Sequence, residues 1–166
     1  ESLASNLIAN DGNGCADIFV RGALPIGPTT YGTAKTNSQG CVPAIASSGT
    51  PSVSSASAFT ISATQVINNK SGLLFYGFGS AAAPFQGGFM NVASPTTRTA
   101  IQPSGGNPPP DDCSGSFSYE FNARIQSGVD PQLTAGTGVF AQYWYRDPAS
   151  PSTTGLTDAV CFKIQP

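Results

Sequence analysis

Apolar and polar positions alternate with a period of two along much of the chain, and helical spacing is nearly absent. Phe117, Tyr119, Phe121, Ala123 and Ile125 share one parity, and Ser116, Ser118, Glu120, Asn122 and Arg124 the other. Successive side chains of an extended segment point to opposite faces, so the pattern predicts a half-buried strand over 116–125. Phe59, Ile61 and Ala63 repeat it against Thr60, Ser62 and Thr64. Leu73-Leu74-Phe75-Tyr76 is apolar on both parities, as in a central strand covered on both faces. Residues 17–20, 88–93, 139–145 and 157–164 read as further strands. Turn clusters separate these runs: Asn37-Ser38-Gln39-Gly40, 68–72, 104–112 with Pro108-Pro109-Pro110, and 146–155. About eight to ten short strands between Gly/Pro turns predict an all-β fold, an antiparallel β-sandwich or jelly roll.

The length of 166 residues suits one domain. Residues 1–12 read as an N-terminal extension and 13–166 as a single sandwich domain. Leu3 and Leu7 lie on one face of the extension if it is extended, and one turn apart if it is helical. The segment therefore suits a donor strand or a short helix, with Leu3 and Leu7 as candidate subunit contacts. The chain begins with Glu1 rather than Met, as expected of a processed or excised form.

Charge narrows the function classes. Charged residues are 10% of the chain, against about 25% in ordinary domains, so the surface is neutral and hydroxyl-rich. The seven cations are spread singly and the net charge is −2, which argues against nucleic-acid binding. No apolar run reaches the roughly 18 residues of a membrane span. Cys15, Cys41, Cys113 and Cys161 contain no CxxC spacing, and the chain has no histidine. Disulfides in an oxidising compartment fit better than zinc, which predicts a secreted, extracellular or cell-surface protein. The spacing leaves all three pairings open.

The missing histidines exclude Ser-His-Asp and Cys-His catalysis and His-ligated metals. No P-loop pattern occurs. Acid–base work by a carboxylate pair would draw on Asp111, Asp112, Glu120, Asp130, Asp147 or Asp158. Each also has a structural reading: a solvated loop for Asp111-Asp112, the polar face of a strand for Glu120, and turns before proline for Asp130 and Asp147. Asp158 reads as a turn cap or a partner of Arg146. The expectation is a non-enzyme without a cofactor. In Tyr143-Trp144-Tyr145, neighbours must face opposite sides. Trp144 shares its face with Phe140 and is assigned to the core, which leaves Tyr143 or Tyr145 to meet a ligand or a subunit. Asp11, Asn13 and Asp17 resemble the oxygen ligands of a secreted calcium loop. Cys15 replaces the middle acid there, and Asn13-Gly14 also reads as a tight turn.

Several longer pieces carry a family resemblance: Tyr31-Gly-Thr-Ala34, Gly40-Cys41, Gly72-Leu-Leu-Phe-Tyr-Gly77, Pro95-Thr-Thr-Arg-Thr99, Cys113-Ser-Gly-Ser-Phe117, Gln142-Tyr-Trp-Tyr-Arg-Asp-Pro148 and Thr154-Gly-Leu-Thr-Asp-Ala159. Over residues 31–166 the chain resembles an uncharacterised β-rich domain of large secreted bacterial proteins of planctomycete and myxobacterial type. The resemblance implies secretion and a β-rich fold, and no activity. In its pattern a Cys stands at the position of Gly32, pairing with the one matched by Cys41. Another stands at Asn91, pairing with the one matched by Cys113. With both absent here, the resemblance implies Cys15–Cys41 and Cys113–Cys161.

These readings together predict a non-catalytic extracellular structural or adhesive module. It would self-assemble into a bacterial surface filament through its N-terminal segment. The alternative is a carbohydrate-binding module of a secreted protein. The corresponding partners are other copies of the chain or an extracellular polysaccharide.

Overall fold

The computed structural model describes residues 27–166. Eleven strands and one short helix follow in chain order among them: β1 (Thr29–Tyr31), β2 (Ala44–Ser48), β3 (Thr60–Val66), β4 (Ser71–Gly77), β5 (Ser80–Phe85), β6 (Gly88–Val92), β7 (Thr97–Arg98), β8 (Gln102–Pro103), β9 (Gly115–Glu120), α1 (Phe121–Gln126), β10 (Gly138–Arg146) and β11 (Thr154–Lys163). The fold is an all-β sandwich. The larger sheet has the order β1-β11-β10-β4-β7, with β8 also on the edge of β4; the smaller has the order β2-β3-β9; and β5-β6 form a separate hairpin. Strand pairing within all three is antiparallel.

The apolar runs fall where the strongest predictions placed them. β4 and β10 are the two central strands of the large sheet, and both faces of each are buried. One face meets the small sheet in a core that includes Phe59, Ile61, Leu74, Tyr76, Phe117, Phe121, Tyr143, Tyr145 and Phe162. The opposite face carries a second cluster of Tyr31, Leu73, Phe75, Val92, Phe140, Leu156, Ala159 and Cys161, with Met90 and Trp144 packed against it. The β5-β6 hairpin covers part of that outer face.

The run 116–125 does not stay extended. β9 ends at Glu120, which caps α1: its carboxylate accepts hydrogen bonds from the Asn122 and Ala123 amides. The same carboxylate accepts from the Phe59 amide, so the strand stops where three backbone donors converge on one side chain. The apolar period survives the change because Phe121 and Ile125, four apart, share a helix face as well as a strand face.

Cysteine pairing departs from what the resemblance implied. Cys41 is bonded to Cys113, with Cα atoms 6.5 Å apart and a sequence separation of 72. Asn37 explains the meeting. Its Oδ1 accepts from the Gln39 and Cys41 amides, while its Nδ2 donates to the Gln65 carbonyl. This folds the 37–41 turn onto the end of β3, where Val66 pairs with Gly115, just beyond Cys113. A loop of that length contributes ~4 kcal/mol in the chain-entropy account. Cys161 cannot replace either partner, because it is buried in the cluster on the other face of the large sheet. It is itself disulfide-bonded. Cys15, the expected strand 17–20 and the extension 1–12 lie outside the described residues.

Candidate functional site

The outer face of the large sheet holds a cleft of about 180 Å³. Leu73 and Phe75 of β4 and Trp144 of β10 form its floor, Phe85, Gln86 and Met90 of the hairpin one wall, and Thr96 and Arg98 the other. Strand register explains the floor: Trp144 lies opposite Leu73, and Phe75 lies between Gln142 and Arg98. Directly opposed residues of antiparallel strands point to the same face.

The hairpin wall is held by polar clamps. Gln142 is fully buried in the central strand. Its Nε2 donates to the Phe89 and Thr157 carbonyls at 3.1 and 2.6 Å, and its Oε1 accepts from the Asn91 amide at 2.9 Å. At the hairpin tip, Gln86 and Gly87 have φ of 49° and 76°, the geometry of a two-residue hairpin turn. Such a φ is costly for glutamine. Its side chain offsets the cost by accepting from Trp144 Nε1 at 3.0 Å and Thr154 Oγ1 at 2.9 Å. Lys35 completes the anchor. Its ammonium donates to the carbonyls of Gln86 and Thr154 and to the hydroxyls of Ser150 and Ser152. Burial lowers the Lys35 pKa, opposed by the Asp147 charge.

The cleft lining contains no carboxylate, cysteine or lysine. Arg98 is exposed, and among the described residues no hydrogen bond or ion pair engages its guanidinium. Arg146, also exposed, lies over the Trp144 ring with its guanidinium carbon 5.5 Å from the centroid, a cation–π distance.

The aromatic triplet is inverted relative to the expectation. Tyr143 and Tyr145 are fully buried between the two sheets, and Trp144 is the half-buried member facing the cleft. The Tyr143 hydroxyl donates to the Ile61 carbonyl at 2.9 Å, and its ring stacks on Phe117. Tyr145 pairs with Gly72 on one side and Gly155 on the other. A Cβ on Gly155 would fall 2.1 Å from the Tyr145 ring, so only glycine leaves room for it. Burial raises the pKa of both tyrosines well above the ordinary phenol. Placing Trp144 on the face of Phe140 was right; which face stays partly open depends on the small sheet, and no alternation pattern encodes that. Arg98 and Gln142 lie within pieces that carry the resemblance but were given no role there, and Gln86 gave no signal at all.

The six carboxylates in the described residues are dispersed, and each accepts hydrogen bonds from the fold. Asp111 pairs with Lys70 at 2.6 Å. Asp112 accepts from Ser114 and Asn107, which lowers its pKa. Asp130 accepts from the Tyr76 hydroxyl and the Gln132 amide, and Asp147 from the Ser38 amide. Asp158 accepts from the Ile45 amide at 2.7 Å rather than pairing with Arg146; burial raises its pKa. Among the described residues no group of three acidic or sulfur side chains could hold a metal. Leu3, Leu7, Asp11, Asn13 and Asp17 lie outside the described residues.

Gly32 and Asn91, where the resemblance expects cysteines, lie against each other. A Cβ on Gly32 would fall 2.5 Å from Asn91 Cγ. The geometry therefore brings the two positions to each other, rather than to Cys41 and Cys113. No family model matches the chain, and no curated protein or solved structure matches it.

Proposed function

We propose that the chain is a non-catalytic extracellular structural or adhesive module. The observation that carries this reading is the lining of the cleft: apolar rings, amide and hydroxyl groups and one guanidinium, with nothing that gives or takes a proton near neutral pH. The carboxylates that acid–base chemistry would need lie outside the cleft lining and accept hydrogen bonds in turns, caps and loop contacts, with Asp147 Oδ1 left buried and without a partner among the described residues. Disulfides at Cys41, Cys113 and Cys161 fit an oxidising, extracellular location. Among the described residues no helix is long and apolar enough to cross a membrane.

In the assembly form of this reading, the N-terminal segment with Leu3 and Leu7 pairs with a neighbouring copy and builds a surface filament. Sedimentation velocity of the whole chain over a wide concentration range tests it. Concentration-dependent growth that Leu3→Asp with Leu7→Asp removes supports assembly; a monomer at every concentration rules it out. The Trp144 cleft favours a second reading, a carbohydrate-binding module. Retention of the whole chain on insoluble polysaccharides tests that, and no retention on any of them rejects it.

A further inference from the structure

We propose that the Trp144 cleft binds a sugar ring bearing a carboxylate, a uronic acid unit of an acidic polysaccharide. The inference rests on the carbohydrate-binding reading and adds the chemical class of the ligand. Size comes first. A cleft of about 180 Å³ is smaller than the ~300–1,000 Å³ of drug-sized sites, so it takes one ring-sized group. The lining comes second. Leu73, Phe75 and the indole of Trp144 present carbon surface to the C–H face of a ring, and Gln86 and Thr96 supply polar edges for hydroxyls.

Charge decides the class. Arg98 projects from the edge strand beside Phe75, on the same face as the floor. Its guanidinium is the one charged group in the lining, and no residue in the described part of the protein neutralises it. Arg146 adds a second cation over Trp144. Of the other described cations, Lys35 is engaged by four oxygens, Lys70 by Asp111 and Arg124 by the Tyr76 hydroxyl; Lys163, at the end of β11, lies outside the cleft lining. A planar guanidinium matches the two oxygens of a carboxylate. A neutral sugar would meet the guanidinium with hydroxyls and no opposite charge.

Affinity electrophoresis of the whole chain tests this, in gels cast with polygalacturonate and with the same polymer reduced to its neutral alcohol. The expected result is retardation by polygalacturonate that weakens about tenfold in Arg98→Gln and in the reduced polymer. Arg98→Lys, which keeps the charge without the fork, should recover only part of the binding. Trp144→Ala should abolish retardation in both gels, and circular dichroism of all three variants checks that the fold persists. Equal retardation by the two polymers, or an Arg98→Gln variant that binds like the parent, overturns the carboxylate inference and leaves carbohydrate binding standing. No retardation in either gel overturns both.

Discussion

Replacing Gln142 with leucine should detach the β5-β6 hairpin from the large sheet. Gln142 is buried in the central strand, and its amide satisfies three backbone groups at once: the carbonyls of Phe89 and Thr157 and the amide N–H of Asn91. Leucine fills a similar volume and provides none of these bonds. Each buried group left unsatisfied costs about 1–3 kcal/mol. Phe89 and Asn91 belong to a hairpin that can lift toward water, so their penalties fall at the low end. Thr157 lies in β11 with no such escape. The sum is about 3–5 kcal/mol, a large share of the roughly 5–15 kcal/mol that holds a domain together. Urea unfolding followed by far-ultraviolet circular dichroism measures the loss. Amide exchange shows where it falls: residues 80–92 should lose protection first, while β4 and β10 keep theirs at low denaturant. A loss below about 1 kcal/mol with the hairpin still protected would refute the clamp, and with it the account of how the cleft wall is held.

Four further outcomes follow from named contacts. Tyr143→Phe should cost about 1 kcal/mol in urea unfolding by removing its buried hydrogen bond to the Ile61 carbonyl. Tyr145→Phe should not destabilise and should gain up to about 1 kcal/mol, because its buried hydroxyl makes no well-formed hydrogen bond among the described residues, only a weak approach to Asn37. Asp158→Asn keeps an acceptor for the Ile45 amide and removes a buried charge. The Asp158 pKa is raised in the fold, so its contribution is full below the unfolded value and is lost as pH rises through the folded one. The variant should therefore melt above the parent at pH 7 and match it near pH 3; a lower melting temperature at pH 7 would show that the charge stabilises. Gly32→Cys with Asn91→Cys should form an added disulfide, seen as a loss of two hydrogens by mass spectrometry, at the cost of a side chain at the left-handed φ of 74°. A Cβ 2.5 Å from Asn91 Cγ puts the two Cβ atoms no more than about 4 Å apart.

What could be read from the sequence was whatever a local period encodes. The double-sided apolar run at 73–76 marks a central strand because both faces of β4 are covered. Alternation at Phe59, Ile61 and Ala63 marks β3 because only one face meets the core. The period failed at Glu120, where one carboxylate collects three backbone donors and turns a strand into a helix. It was silent about Tyr143 against Trp144, since both faces of β10 are largely buried and the difference lies in what packs outside. The cleft itself joins β4, the hairpin, β7 and β10, segments spread from Leu73 to Trp144. Nothing short-range ties them together. The disulfide escaped for the same reason: Asn37 sets the position of Cys41 through contacts to β3 that no spacing rule contains.

The chain has a single tryptophan, and it lies in the cleft, so its signal reports on that surface alone. Titrating the whole chain with oligogalacturonate while recording the Trp144 indole N–H resonance tests most directly that the module acts through this face. The account predicts a saturable shift of that resonance, together with the amides of residues 73–75, 85–90 and 96–98, weakened about tenfold by Arg98→Gln. An indole resonance that stays fixed while the chain is retained on a polysaccharide would place binding elsewhere and contradict the account.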